Sequence, residues 1–394
     1  MFQAQRQYEP KGPLVNSEFY PGWLTHWGEK MANVATTSIT KTLKEMLDVG
    51  ASVNFYMIHG GTNFGFTAGA NMGSNYQADI QSYDYDAPIT EAGDLTEKYY
   101  EIQKVIAQYL PIPNITVATS AKGNYGELTL KATASLFAPK IRTSLGRVTQ
   151  KDYPTTFESV GQNFGYMLYE TVLPESFQQE LLIDKFSDLA HVYVDEILIG
   201  NLSREFKTNS IKLGETDKGD KLSIVVENLG RINFGGMNND TKGILSNVTL
   251  GGEILKSWDQ TSFELDNVNA VEECFSKIRE LENEATKTDD CNNGNGFIFY
   301  ATKFQINPVL GRKKRAVVLD TYLDMSNLNK GVVYVNGFNI GRYWSTRGPQ
   351  YTLFIPGIYL KSYPEDNILV VMEEEIKTDE IKLSFTTDAI FTRK

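Results

Sequence analysis

The chain has 394 residues, a formal net charge of -11, 41% hydrophobic and 12% aromatic residues, and two cysteines. That length calls for two or three hydrophobic cores. The negative balance speaks against nucleic acid, whose binders gather Lys and Arg into a patch, and no run of about eighteen apolar residues is present to cross a membrane.

The only basic run, Arg312-Lys313-Lys314-Arg315, reads as a solvated turn ahead of the strand Ala316 to Leu319 or as a processing or targeting site. The first residues lack the apolar core of a signal peptide, which argues for a cytosolic chain if Met1 is the true start. Cys274 and Cys291 could close one disulfide in an oxidising compartment or stay free. Sequons at Asn114, Asn201, Asn239 and Asn247 support secretion only weakly, because a chain rich in Asn, Ser and Thr carries about that many by chance.

Three regions follow in chain order. The first, residues 1–112, alternates short strands with helices. Pro13 to Ser17 reads as a strand, and Asn33 to Leu47 carries Val34, Ile39, Leu43, Met46 and Leu47 near helical spacing. Gly50 ends that helix, and a second strand runs from Ser52 to Ile58, so the unit is β-α-β with a crossover long enough for parallel pairing. The next helix opens at Asp94 with Glu97 three residues on, a capping-box arrangement, and Pro111 and Pro113 stop it.

Beyond the prolines the pattern is all-β, with strands expected at Leu128 to Lys131, Gly165 to Val172, His191 to Ile199, Lys221 to Glu227, Gly331 to Ile340, Tyr351 to Ile355, Asn367 to Met372 and Glu380 to Phe385. An internal echo divides this stretch. Val192-Tyr193-Val194-Asp195 with Ile199-Gly200 matches Val333-Tyr334-Val335-Asn336 with Ile340-Gly341 in spacing, and each copy is followed by a further apolar strand. Two related β-sandwiches, at 113–263 and 264–394, are the economical explanation, and chance likeness of two apolar strands is the alternative. The fold class is therefore multidomain, α/β plus all-β.

Reactive groups of a parallel α/β unit collect at the carboxyl ends of its strands. Glu18 stands at such an end, followed by Phe19, Tyr20, Trp23 and Trp27. An acid among aromatics suits a sugar site, where rings stack on the C–H face of a pyranose and a carboxylate attacks or stabilises an oxocarbenium-like centre. The plainer reading is an exposed Glu beside a half-buried aromatic cluster. After the second strand, Gly60-Gly61-Thr62-Asn63-Phe64-Gly65 lacks the Lys-Ser/Thr ending of a phosphate-binding loop. Ser82-Tyr83-Asp84-Tyr85-Asp86-Ala87-Pro88 gathers hydrogen-bonding groups fit for sugar hydroxyls. His26, His59 and His191 are scattered, so neither a metal nor another cofactor is expected.

The run Gly12-Pro13-Leu14-Val15-Asn16-Ser17-Glu18-Phe19-Tyr20, with Gly22-Trp23-Leu24 and His26-Trp27-Gly28, closely resembles the nucleophile region of family 35 glycoside hydrolases, the β-galactosidases. Further matching runs are Gly60-Gly61-Thr62-Asn63-Phe64, Ser82 to Pro88, Glu91-Ala92-Gly93-Asp94 and Val335-Asn336-Gly337-Phe338-Asn339-Ile340-Gly341-Arg342-Tyr343-Trp344. The resemblance implies a retaining enzyme that removes terminal β-linked galactose, with Glu18 as nucleophile, Trp23 and Tyr85 in the galactose pocket, and Tyr56 orienting Glu18. It implies the last two strand-helix units of a (β/α)8 barrel followed by jelly-roll, galactose-binding-like β-sandwiches. It also implies β-galactoside glycans or glycolipids as substrates and a lysosomal or extracellular location. Family members carry the acid/base Glu on an earlier strand, and no residue here fits that position. The expectation is thus a C-terminal remnant, from a truncated gene model, a fragment or a splice form. Such a chain would be inactive alone and would associate with itself or with a complementing N-terminal barrel segment.

Overall fold

The computed structural model describes residues 2–176, 179–235, 239–265, 296–310, 316–376 and 378–392. Cys274, Cys291 and the basic run at 312–315 lie outside the described residues.

After a short helix α1 (Gln3–Tyr8), strand β1 (Val15–Phe19), helix α2 (Thr36–Asp48) and strand β2 (Ser52–Phe55) form the expected crossover unit. The strands pair in parallel, with Val15 opposite Ser52 and Phe19 opposite Phe55. Helix α2 buries Ile39, Leu43 and Met46 against Phe19, Ala51 and the Ile102 and Val105 face of helix α3 (Glu97–Ile106). The helical spacing read from the sequence is thus the spacing of the buried stripe. Among the described residues no third strand joins this two-stranded sheet, and Val15 is 45% exposed.

The start of α3 differs from expectation. Thr96, not Asp94, is the cap, and its hydroxyl accepts the Tyr99 N–H at 3.3 Å. Asp94 instead accepts the Ser120 N–H at 2.7 Å and pairs with Lys122. A carboxylate spaced correctly for a capping box has been recruited to tie down the chain beyond the prolines.

Most of the rest is antiparallel β. One six-stranded sheet runs in the order 197–203, 189–194, 221–227, 166–172, 258–263, 147–151, and an eight-stranded sheet contains 338–344, 330–335, 367–373, 298–304, 127–135, 380–386, 321–324 and 352–355. The internal echo is structural. Each copy is a hairpin: Leu189–Val194 with Ile197–Ser203, and Lys330–Val335 with Phe338–Trp344. Their turns place Asp195-Glu196 and Asn336-Gly337 at positive φ, the two-residue geometry that matches strand twist. Each hairpin slips register at the same place, between Val192 and Tyr193 and between Val333 and Tyr334.

The expected segment boundaries do not follow the sheets. Strand Glu127–Ser135, placed by chain order with the first β region, pairs with Ile298–Phe304 and Glu380–Thr386 in the eight-stranded sheet. Periodicity identifies a strand but not its partner, because β pairing joins residues far apart in sequence. The two large sheets share a core in which Tyr166, Leu168 and Val225 meet Phe297, Phe299, Val332 and Met372.

Candidate active site

The carboxyl ends of β1 and β2 open onto a cluster of aromatic rings. Glu18 is exposed near the carboxyl end of β1, its backbone N–H donating to Asn16 Oδ1 at 3.1 Å, while Asn54 Nδ2 of β2 holds the Ser17 carbonyl at 3.0 Å. Around it lie Tyr20 and Trp23, with centroids 5.3 Å apart, and Tyr56, 6.0 Å from Tyr20. Tyr85 closes the group at 6.2 Å from both Trp23 and Tyr56. The four residues singled out from sequence, Glu18, Trp23, Tyr56 and Tyr85, are thus brought to one place.

One expected contact is different. The hydroxyl that donates to Glu18 Oε2 is that of Tyr20, not Tyr56. The bond raises the Tyr20 pKa, since losing the phenolic proton would set two negative oxygens side by side. Tyr56 turns its polar end toward Tyr83. Sequence spacing made Tyr56 the neighbour of Glu18 because both end parallel strands; Tyr20 lies two residues from Glu18 on the same chain.

Two glycines let the loops approach. A Cβ on Gly22 would lie 1.6 Å from the Tyr85 carbonyl oxygen, and one on Gly60 would lie 1.7 Å from the Tyr83 carbonyl oxygen. Only a residue without a side chain permits such contact. The Trp23 N–H then donates to the Tyr85 carbonyl at 3.0 Å. Trp23 is 50% exposed and Tyr85 3% exposed, so one ring faces outward and the other forms the floor.

The carboxyls of the tyrosine loop are committed to structure. Asp86 Oδ2 accepts from Val34 N–H and from Lys98 Nζ, each at 2.6 Å. Asp84 accepts the Glu91 N–H at 3.2 Å. Glu91 is buried, accepting from Thr62 Oγ1 at 2.5 Å and Ser82 Oγ at 2.7 Å. From the eight-stranded sheet side, Gln350 Oε1 accepts the Ser82 N–H at 2.8 Å, so the β region buttresses the loop that carries Tyr83 and Tyr85. Sequence reasoning gave Lys98 no part in this, since a lone Lys in an amphipathic helix carries no visible signal; Gln350 stands in Gly348-Pro349-Gln350, a run that resembles the family, but no role at the site was read from it.

Burial raises the Glu91 carboxyl to about 7, against the pull of its two hydroxyl donors. A folded-state value above the ordinary 4.5 means that the folded protein binds the proton more tightly than the unfolded chain. The stability this supplies is complete below about pH 4.5 and is lost as pH rises toward 7, a loss of about 3 kcal/mol. Glu91→Gln should remove that share of the pH dependence, seen as a smaller fall in denaturation midpoint between acid and neutral pH. A second buried acid, Glu373, also raised to about 7 by burial, keeps its own share in the variant.

Among the described residues no three His, Cys, Asp or Glu side chains converge as metal ligands, and no described helix is long and apolar enough to cross a membrane.

A carboxylate at a strand end, ringed by tyrosines and a half-exposed tryptophan and held on glycine-cleared loops, is the arrangement expected from the sequence. Residues 1–109 match the model of glycosyl hydrolases family 35, residues 154–266 that of the β-galactosidase first all-beta domain, and residues 297–367 that of the β-galactosidase galactose-binding domain. The chain is 40% identical over 386 residues to a β-galactosidase of Bos taurus, covering 95% of this chain and 57% of that one. It is 39% identical over 384 residues to the β-galactosidase of Homo sapiens, covering 95% and 55%. Against β-galactosidase 17 of Arabidopsis thaliana it is 36% identical over 414 residues, covering 100% and 58%. The chain therefore resembles β-galactosidases over nearly all its length, and its first 109 residues resemble the glycosyl hydrolases of family 35. It spans a little over half the length of these relatives.

Proposed function

We propose that this chain carries the nucleophile side of a retaining β-galactosidase site, with β1 and β2 as the last two strands of a (β/α)8 barrel. The observation that carries this reading is the convergence of Glu18 with Trp23, Tyr56 and Tyr85 at the strand ends. Glu18 attacks the anomeric carbon of a terminal β-galactosyl residue while a second carboxyl protonates the leaving oxygen; the same carboxyl then activates the water that releases galactose with retention. Trp23 supplies the exposed stacking face, Tyr85 the pocket floor that backs it, and Tyr56 a hydroxyl on the rim.

The second carboxyl must stand about 5 Å from Glu18. Asp84, Asp86 and Glu91 are each engaged in holding the tyrosine loop, so we assign the acid/base role to residues outside this chain, in the part of its relatives' length that it does not cover. No cofactor enters the reaction. Substrates of this class, β-galactoside glycans or glycolipids, place the work in a lysosomal or extracellular setting, and the open edges of the two-stranded sheet are where the complementing barrel segment would pair.

Mixing the chain with a barrel segment bearing the second carboxyl tests the reading against a chromogenic β-galactoside. Turnover is expected in the mixture and not with the chain alone. Galactose binding that ignores Trp23→Ala and Tyr85→Ala but is lost on changes within 121–394 would instead assign the chain a purely carbohydrate-binding role.

A further inference from the structure

The loop bearing Tyr85 is held in an unfavourable backbone state. Tyr85 and Asp86 are consecutive non-glycine residues at φ 66 and 49, a left-handed region that side chains resist, so surrounding contacts must enforce it. Lys98 supplies such contacts. It is 5% exposed, and its Nζ donates to the Asp86 carbonyl at 2.6 Å, to Asp86 Oδ2 at 2.6 Å and to the Pro21 carbonyl at 2.8 Å. An ammonium has three N–H donors, and each has an oxygen: two on the Tyr85 loop and one on the loop of Trp23.

The position of this lysine is not explained by its helix. Lys98 is the second residue of α3, where the helix dipole disfavours a cation, and burying a charge is costly unless every donor is matched. What the arrangement does achieve is to bind two loops together at the point where Trp23 N–H meets the Tyr85 carbonyl.

We propose that Lys98 is the positioning residue of the sugar pocket, its ammonium locking the Pro21 and Asp86 segments in the register that sets Trp23 against Tyr85. Only the identity of what the pocket holds rests on the galactosidase reading; the clamp itself does not.

The test uses the full chain labelled with 5-fluorotryptophan, whose four tryptophans give separate fluorine resonances. Trp23→Phe assigns the pocket signal, and Trp258, 1% exposed in the other β core, reports folding. Lys98→Met is expected to shift or broaden the Trp23 resonance beyond its linewidth with Trp258 unmoved, and Lys98→Arg to restore it at least in part. A folded Lys98→Met chain with an unchanged Trp23 signal would overturn the proposal. Should that variant lose the Trp258 signal, Lys98→Gln, which keeps a shorter neutral donor, is judged by the same two resonances. Titration with methyl β-galactoside separates the two ideas. Binding weakened about tenfold or more in Lys98→Met, the order expected for loss of a charged hydrogen bond that organises a site, supports both. A Trp23 signal that moves in the variant but ignores the sugar in every chain, alone and mixed with the complementing barrel segment, supports the clamp and counts against the galactosidase reading. Equal affinity in wild type and Lys98→Met overturns the clamp.

Discussion

Glu18→Gln lowers β-galactoside turnover of the complemented enzyme by about four orders of magnitude or more, the scale seen when a covalent catalytic group is removed, and leaves folding unchanged. Both halves follow from geometry. Glu18 is exposed and its side chain takes one hydrogen bond, from Tyr20, so an amide of the same shape costs the fold little. That amide is a poor nucleophile toward the anomeric carbon. Steady-state kinetics beside a thermal melt checks the pair of expectations; lost turnover with a lowered melting temperature would mean a structural role for Glu18 instead.

Lys330→Met should cost about 3–5 kcal/mol, because it takes from the buried Glu374 the ammonium that holds both its oxygens. Lys330 is 2% exposed, and Glu227 and Glu374 are fully buried. Its Nζ lies 2.8 and 2.7 Å from the two Glu374 oxygens and also contacts Glu227. Arg342 Nε adds a bond to Glu227 at 3.0 Å, and Tyr166 OH donates to Glu374 at 2.8 Å. Burial alone would raise the Glu374 carboxyl; Lys330, helped by His191, pulls it below its usual range. Glu227 belongs to the six-stranded sheet and Lys330 to the eight-stranded one, so the cluster is an ionic bolt between them. Urea unfolding followed by near-UV circular dichroism measures the effect, and a change below about 1 kcal/mol, the size of an exposed pair, would show that the bolt is dispensable.

Much of the local structure was legible before any coordinates. The α2 stripe of Ile39, Leu43 and Met46, the parallel pair β1 and β2, and the echo between the two β regions follow from periodicity, which acts between near neighbours. What the sequence hid is long-range. Strand Glu127–Ser135 had to find partners from residue 298 onward, and the expected single strand at His191 to Ile199 splits at Asp195-Glu196 into two antiparallel strands. At the site the same division holds. Glu18, Trp23, Tyr56 and Tyr85 sit at strand ends or in loops where chemistry is expected, but Lys98 and Gln350 reach it from a helix and from a loop 268 residues away from Ser82. Such residues are chosen by three-dimensional need for a donor or acceptor, and their identity alone does not announce it.

The most direct test of the central claim is covalent trapping with a 2-fluoro-galactosyl fluoride. The fluorine weakens the transition-state contacts to the 2-position and slows release of the sugar, while fluoride departs without a proton, so the trap reports on the nucleophile independently of the second carboxyl. Peptide mass spectrometry of the chain, alone and complemented, should find one galactosyl adduct, on Glu18. An adduct on another carboxylate, or hydrolysis of β-galactosides by a preparation that never becomes labelled at Glu18, would contradict it.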